Sequence, residues 1–139
     1  MALMYLDIDR FKQINDRYGH SAGDALLREF ADRLSRTLRS SDAVARLGGD
    51  EFTVIMEGLP APDVAATVAA KIVQAMRTPF VVDQQTIDVT TSIGLAFYQG
   101  DAMTVEALVR QADVMLYQAK GAGRNNVQVA LRLVEGGRA

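Results

Sequence analysis

The sequence lacks cysteine and tryptophan, and it contains a single histidine. The absence of cysteine excludes disulfides and thiolate metal sites, and it fits a protein of the reducing cytoplasm. No apolar run comes near the ~18 residues of a membrane-spanning helix. Residues 1–6 are apolar, but no basic stretch accompanies them and Asp7 follows at once, so we expect no signal peptide. We predict a cytoplasmic domain without membrane contact, although the parent protein could be membrane-anchored.

An excess of positive charge is also missing. Lysine and arginine number 15 against 17 aspartates and glutamates, which gives a net charge of −2, so we expect no nucleic-acid partner. With 139 residues, 49% of them apolar, the chain suffices for one domain with a core. We expect this domain to span residues 1–131, and residues 132–139 to form a flexible tail.

Apolar periodicity predicts the secondary structure. Residues 86–97 alternate between an apolar face and a face of small or polar side chains, which predicts one strand. Val81 and Val82 are expected to pair with its start as an edge hairpin. We expect Asp9 to cap the first helix and Thr104 to cap the last. The other predicted elements are, in order, a strand at 3–6, helices at 10–18 and 21–38, hairpin strands at 43–47 and 52–56, helices at 62–77 and 105–120, and a strand at 126–131.

The order of these elements indicates the fold class. A strand, two helices, a hairpin, a helix, a strand, a helix and a strand contain an embedded β-α-β-β-α-β order, which is typical of ferredoxin-like folds. We therefore predict an α/β (α+β) domain in which helices flank a mixed sheet. The fold alone does not identify the chemistry.

Two carboxylates at a glycine turn are the most informative local feature. Residues 46–52 read RLGGDEF between two strand-like runs. Glycine suits any tight turn, but a turn that needs only solubility has no need of adjacent like charges. Carboxylates beside a backbone that a ligand can approach suit a hard cation and a nucleoside triphosphate. Asp7 follows a buried strand, where ligands collect in open α/β sheets, so we interpret it as a further cation ligand.

Residues 48–52 resemble the signature that names the GGDEF family, the diguanylate cyclases. The resemblance extends from residue 3 to about residue 127 and implies the palm-like fold that this family shares with nucleotidyl cyclases. The other matching stretches are residues 7–16 (DIDRFKQIND), 18–24 (YGHSAGD), 91–94 (TSIG) and 112–125.

The resemblance implies a metal-dependent nucleotidyltransferase site. Asp7, the Ile8 carbonyl and Asp50 would hold Mg²⁺ (or Mn²⁺), and Asp50 and Glu51 would be the catalytic carboxylates. Asn15 and Asp24 would bind guanine, and the basic residues would lie near the phosphates. The residues that would bind the substrate are Lys12, Asn15, Asp24, Gly48, Gly49, Lys120 and Arg124.

Three of these assignments have alternatives in the residues themselves. Asn15 could belong to a solvated helix face. Asp24 also suits the first turn of a helix, where a carboxylate interacts favourably with the macrodipole. Lys120 and Arg124 are four residues apart near a helix end, so they could face one ligand or complement the helix C-terminus.

The implied reaction joins two GTP molecules into cyclic di-GMP with loss of two pyrophosphates. One domain would bind one GTP, so catalysis would require a homodimer. Arg39 and Asp42 stand before the glycine turn, where family members often carry an RxxD site that binds cyclic di-GMP and inhibits the enzyme.

The chain departs from the family pattern in one respect, because no DxLTGLxNR motif precedes the first strand. We therefore expect an N-terminally truncated domain, separated from the regulatory sensory domain of its parent protein. One alternative is a catalytically inactive GGDEF domain that binds GTP or cyclic di-GMP as a receptor. Another is an interaction domain that regulates a neighbouring domain.

Overall fold

The computed structural model describes residues 1–100 and 102–130. The predicted tail at 132–139 and the last residue of the predicted final strand lie outside these ranges. The elements are β1 (Ala2–Ile8), α1 (Phe11–Tyr18), α2 (His20–Thr37), β2 (Ala43–Gly48), β3 (Glu51–Met56), α3 (Pro62–Met76), β4 (Phe80–Val82), β5 (Gln85–Ile87), β6 (Thr91–Phe97), α4 (Val105–Gly121) and β7 (Val127–Val129).

A five-stranded mixed sheet organises the chain, as the order of elements predicts. Its strand order is β2-β3-β1-β6-β7, in which β6 and β7 are parallel and the other neighbours are antiparallel. Strand β1 is central, and its register places Asp7 opposite Glu51 on one side and Ser92 on the other. The end of β1 therefore lies beside the start of β3, where the glycine turn ends.

Alternating side chains of β1 supply both faces of the sheet. Met4, Leu6 and Ile8 belong to the large core beneath α2 and α3. Leu3 and Tyr5 belong to a smaller cluster beneath α4. In the large core the ring centroid of Phe30 lies 5.2 Å from that of Phe52 and 6.3 Å from that of Phe80. Burial on both faces fixes the register, because a slip by one residue would exchange the two sets.

The single strand expected at 86–97 is wrong, because two strands occupy this stretch. Strand β5 pairs with β4 in a separate two-stranded sheet, whereas β6 pairs with β1 and β7. Residues 88–90 separate them. The Thr90 carbonyl accepts a hydrogen bond from the nitrogen of Asp9, just after β1, and the Thr90 hydroxyl donates to the Asp9 carboxylate. The predicted edge hairpin is confirmed, with a turn at Asp83 and Gln84, both of positive φ.

The small-residue face of β6 is buried rather than open, because α4 packs against it. A Cβ at Gly94 would lie 2.2 Å from the Ala112 carbonyl oxygen and 2.3 Å from the Leu116 nitrogen. These contacts are with the backbone of a helix, which cannot move aside as a flexible side chain does. Glycine at position 94 is therefore what allows α4 to lie close to the sheet.

The expected helix caps have different outcomes. Thr104 caps α4 as predicted, since its hydroxyl accepts a hydrogen bond from the Ala107 nitrogen at 3.1 Å. Asp9 does not cap α1, because Arg10 holds the N-cap position in a left-handed conformation with φ of 57°. The Asp9 carboxylate is instead buried and accepts hydrogen bonds from Thr90, Ser92 and Asn125.

No helix among the described residues is long and apolar enough to cross a membrane.

We expect Gly94→Ala to lower the free energy of unfolding by at least ~2 kcal/mol, because the added methyl group forces α4 away from the sheet. Urea denaturation measures this change. Gly121→Ala is the matched control, because a Cβ there meets no described atom within 4 Å, and it should change stability by no more than about 1 kcal/mol. Equal unfolding midpoints for the two variants would contradict the packing argument.

Candidate active site

The sheet register brings the predicted acidic residues together. Asp7 is the seventh residue of the chain and Glu51 lies more than forty positions later, yet they are directly paired in β1 and β3. Asp50 immediately precedes β3 in the turn and is half-buried, whereas Glu51 is exposed. Like charges held at one strand end repel, so this arrangement suits the binding of a cation.

Asp7 is the buried acid of this cluster. It is 4% exposed. Burial raises the pKa of Asp7 from 3.8 to about 6, with smaller contributions from the charges of Asp50 and Asp9 and opposition from Lys120. A buried carboxylate with a raised pKa beside other acids is common at functional sites.

Lys120 extends from the last turn of α4 into the acidic cluster. Its Nζ lies 2.5 Å from Asp7 Oδ2. Burial acts to lower the pKa of Lys120, but the hydrogen bond and charge of Asp7, with Asp50 and Glu51, raise it overall. The ammonium is therefore charged and directed at the carboxylates, which favours a role in the site over simple complementation of the helix end.

Arg124 lies beyond the end of α4, which closes at Gly121, so helical spacing does not set its direction relative to Lys120. It is half-buried in a left-handed conformation with φ of 65°. The turn after the helix, rather than the helix face, positions this guanidinium.

The residues present fit a divalent cation. Asp7 Oδ1 is buried and has no hydrogen-bond partner among the described residues. Such an atom is costly unless a ligand satisfies it. The described residues contain no group of three or more acidic, histidine or cysteine side chains placed to hold a metal. Asp7, Asp50 and the Ile8 carbonyl would therefore share the ion with substrate phosphates and water, which is the usual manner of Mg²⁺ binding.

A second unsatisfied polar atom lies where α1 meets α2. Asn15 Oδ1 is buried without a partner in the described part of the chain. The Asn15 carboxamide packs on Gly23, where an added Cβ would lie 1.7 Å from that oxygen. Gly23 immediately precedes Asp24, which is exposed, and Lys12 is exposed one turn before Asn15 on α1. These side chains can therefore meet a polar ligand that lies along the two helices.

The glycines of the hairpin turn are required by its backbone conformation and not by close packing. Gly48 has φ of 137° and Gly49 has φ of 52°, and a Cβ on either would meet no described atom within 4 Å. Arg46 donates from Nε to the Gly49 carbonyl at 2.8 Å and so braces the turn. The turn backbone is open to a ligand, as the sequence predicts.

Arg39 and Asp42 form a preassembled pair away from the acidic cluster. The Arg39 guanidinium donates to Asp42 from Nη2 at 2.8 Å and from Nε at 3.2 Å, and it also donates to the Glu57 carbonyl. Although burial acts to raise it, the pKa of Asp42 is lowered overall by the Arg39 hydrogen bonds and charge. The Arg39 side chain remains 44% exposed, so it can contact a ligand.

Sequence reasoning missed the role of Asp9 within this region. Its hydrogen bonds join β1 to Ser92 at the start of β6 and to Asn125 in the turn after α4. The Asp-Ile-Asp spacing was a usable signal, because alternate residues of a strand point to the same side. Nothing in the sequence alone pairs Asp9 with positions more than eighty residues away.

Comparisons with known proteins identify the family. A family model described as diguanylate cyclase, GGDEF domain, matches residues 1–126. The bifunctional diguanylate cyclase/cyclic di-GMP phosphodiesterase MucR of Pseudomonas aeruginosa is 43% identical over 124 residues, which are 89% of this chain and 18% of MucR. The diguanylate cyclase TpbB of the same species is 42% identical over 131 residues, 94% of this chain and 30% of TpbB. The chain thus spans less than a third of either relative.

Solved structures agree with the sequence matches. The crystal structure of the GGDEF domain of TpbB has a TM-score of 0.89 and 42% identity, covering 94% of this chain and 82% of that chain. The GGDEF domain of DgcB from Caulobacter crescentus, in complex with c-di-GMP, has a TM-score of 0.84 and 31% identity, covering 92% of this chain and 76% of that chain. A family match over most of the sequence, on the fold predicted for it, shows that this chain belongs to the GGDEF family.

Proposed function

We propose that this domain is the catalytic unit of a diguanylate cyclase, which condenses two GTP molecules into cyclic di-GMP and releases two pyrophosphates. The observation that carries the proposal is the cluster of Asp7, Asp50 and Glu51, with the Lys120 ammonium 2.5 Å from Asp7. A buried ion pair beside two further carboxylates is expensive to assemble unless it serves a ligand. A metal-bound triphosphate supplies both a cation for the carboxylates and an anion for the lysine.

The proposed reaction consists of two similar transfers. In each, the 3′-oxygen of one GTP attacks the α-phosphorus of the other, a P–O bond forms, and the bond to pyrophosphate breaks. A divalent ion held by Asp7, Asp50 and the Ile8 carbonyl, Mg²⁺ or Mn²⁺, would acidify the 3′-hydroxyl and neutralise phosphate charge. Asp50 accepts the hydroxyl proton, and Glu51 completes the negative potential that retains the ion.

The basic residues act on the triphosphate. Lys120 leaves the Asp7 carboxylate and contacts phosphate oxygens when the nucleotide is bound, and Arg124 contacts them from the adjoining turn. Lys12, which is on α1, lies near the phosphates. The Gly48 and Gly49 backbone lets the triphosphate approach the turn closely.

Guanine recognition is assigned to Asn15 and Asp24. A carboxylate accepts hydrogen bonds from guanine N1–H and its exocyclic amine, a donor pair that adenine does not offer. The unpartnered Asn15 oxygen at the α1–α2 junction supports this assignment, because a base would satisfy it.

The chemistry requires two domains that face one another, since each supplies one GTP. We therefore propose a catalytic homodimer. We also propose that Arg39 and Asp42 bind cyclic di-GMP as an inhibitory site, supported by their preassembled geometry and by the c-di-GMP complex of the DgcB domain.

We further propose a parent protein in which a regulatory sensory domain controls association of two cyclase domains in the cytoplasm; the relatives MucR and TpbB are themselves much longer than this chain. The second candidate is a catalytically inactive domain that binds GTP or cyclic di-GMP as a receptor. The Arg39–Asp42 pair favours it, because that pair needs none of the acidic cluster.

Incubation of the concentrated protein with GTP and Mg²⁺ should yield cyclic di-GMP, detected by chromatography. Because two domains cooperate, the rate per chain should rise with protein concentration. Asp50→Asn should lower the rate at least about 100-fold, since it removes the proposed proton acceptor and a metal ligand.

The matched control is Asp63→Asn, the same change at an exposed residue in the first turn of α3, which should retain the wild-type rate. Cyclic di-GMP formation that is insensitive to Asp50→Asn would contradict the assigned chemistry. Binding of GTP or cyclic di-GMP without product formation would support the receptor instead.

Nucleotide-dependent stabilisation should depend on pH through Asp7, whose folded-state pKa of about 6 exceeds its ordinary 3.8. Since the folded metal-free chain binds this proton more tightly than the unfolded chain, its stability falls as pH rises from about 4 to about 6. Metal binding needs the deprotonated carboxylate, so the increase in Tm caused by Mg²⁺ and a GTP analogue should grow over the same range.

Thermal unfolding between about pH 4.5 and pH 7.5, with and without these ligands, measures both effects. In Asp7→Asn the pH dependence assigned to this group should vanish, whereas Asp63→Asn should preserve it. A ligand-induced increase in Tm that is equal at both ends of the range would refute the role of Asp7.

Arg39→Ala should raise the concentration of cyclic di-GMP needed for half-maximal inhibition by at least about tenfold, because a charged hydrogen-bonding partner is lost. Initial rates at increasing product concentration measure this. Arg36→Ala is the control, since Arg36 is an exposed arginine in the last turn of α2, three residues before Arg39, and it pairs with Asp32 instead of Asp42. Equal sensitivity of both variants would exclude an inhibitory site at Arg39.

A further inference from the structure

We infer that Asp9 is a positioning residue whose buried carboxylate holds the turn after α4 in the conformation that directs Arg124 toward the triphosphate. This inference rests on the proposed function, because it concerns the geometry of the same site. It differs from the capping role that the sequence suggests for Asp9.

The Asp9 carboxylate is fully engaged by three donors. Its Oδ1 accepts from the Ser92 hydroxyl at 2.7 Å, and its Oδ2 accepts from the Thr90 hydroxyl at 2.6 Å and from the Asn125 backbone nitrogen at 3.0 Å. The residue is only 5% exposed. A carboxylate can accept all three bonds at once, whereas a neutral amide of the same shape has one oxygen to offer.

The turn that Asp9 holds is an unusual one. Gly123, Arg124 and Asn125 have φ of 106°, 65° and 54° in succession. Asparagine tolerates left-handed backbone, but for a residue such as Arg124 this conformation is unfavourable. Such a conformation persists only where surrounding contacts impose it, and it concentrates at functional positions.

Contacts on Asn125 and Asn126 supply that constraint. The Asp9 carboxylate accepts a hydrogen bond from the Asn125 backbone N–H. The Asn125 side-chain oxygen accepts one from Arg77 Nε at 3.0 Å. The Asn126 side chain donates to the Arg124 carbonyl at 2.8 Å. Of these partners only Asp9 is both buried and charged, so it is the strongest restraint on the direction in which Arg124 leaves the backbone.

Asp9 also connects the two parts of the site. It stands two residues after Asp7 at the end of β1, and Asp7 contacts Lys120 at the end of α4. Strand β1 is thus joined to the end of α4 at one point and to the following turn at another. The first contact involves the proposed metal ligand, and the second restrains the turn that carries Arg124.

A double-mutant cycle tests whether Asp9 acts through Arg124. Asp9→Asn should raise the KM for GTP about tenfold at saturating Mg²⁺ while kcat changes less than about threefold, because positioning of a phosphate contact is lost. In an Arg124→Ala background the same substitution should add no more than about twofold, because the contact it positions is already gone.

Asp88→Asn is the matched control, the same change at an exposed residue of the β5–β6 connection, and it should leave KM at the wild-type value. Arg77→Ala gives a second, exposed route to the same turn. It should raise KM about threefold, again without further effect in Arg124→Ala. This variant decides the question if Asp9→Asn does not fold.

The inference would be overturned if the KM of the double variant rose by the full product of the increases in Asp9→Asn and Arg124→Ala. It would also be overturned if KM were unchanged in both Asp9→Asn and Arg77→Ala. If the wild-type protein makes no cyclic di-GMP, the proposed function fails. The same cycle is then measured on the Kd of Mg²⁺·GTP by calorimetry, where non-additivity supports the inference, and additivity or absence of GTP binding refutes it.

Discussion

The ion pair between Asp7 and Lys120 is the interaction on which the arrangement of the site depends. It joins the central strand of the sheet to the last turn of α4, with 2.5 Å between Asp7 Oδ2 and Lys120 Nζ. Because Asp7 is buried, removal of the lysine would leave an uncompensated charge, which is strongly destabilising. The pair therefore keeps β1, the glycine turn beside it and the end of α4 together in the absence of a ligand.

The two aspartates that flank Ile8, the last residue of β1, differ in their hydrogen bonding. Asp9 has three donors on its two oxygens, whereas Asp7 keeps one buried oxygen without a partner among the described residues. A satisfied buried carboxylate rigidifies its surroundings, and an unsatisfied one is available to a ligand. The same chemical group thus serves structure at one position and, in the proposed function, ligand binding at the other, with only Ile8 between them.

Much of the fold followed from the sequence, because apolar periodicity records which faces are buried. The helices, the central hairpin and the mixed sheet belong to this class. The division of 86–97 into β5 and β6 did not follow, since alternation continues through residues 88–90 while the pairing partners change. The acidic cluster was predictable from the glycine turn and its family resemblance. The bonds of Asp9 were not, because long-range partners such as Asn125 leave no local pattern.

We propose that the carboxylates and Lys120 together form a site for a metal-bound triphosphate. A crystal structure of the protein with Mg²⁺ and a GTP analogue that cannot react would test this proposal. We expect an ion on Asp7 and Asp50, with the Lys120 ammonium moved from Asp7 to phosphate oxygens. A triphosphate bound elsewhere, with the Asp7–Lys120 pair intact, would contradict it.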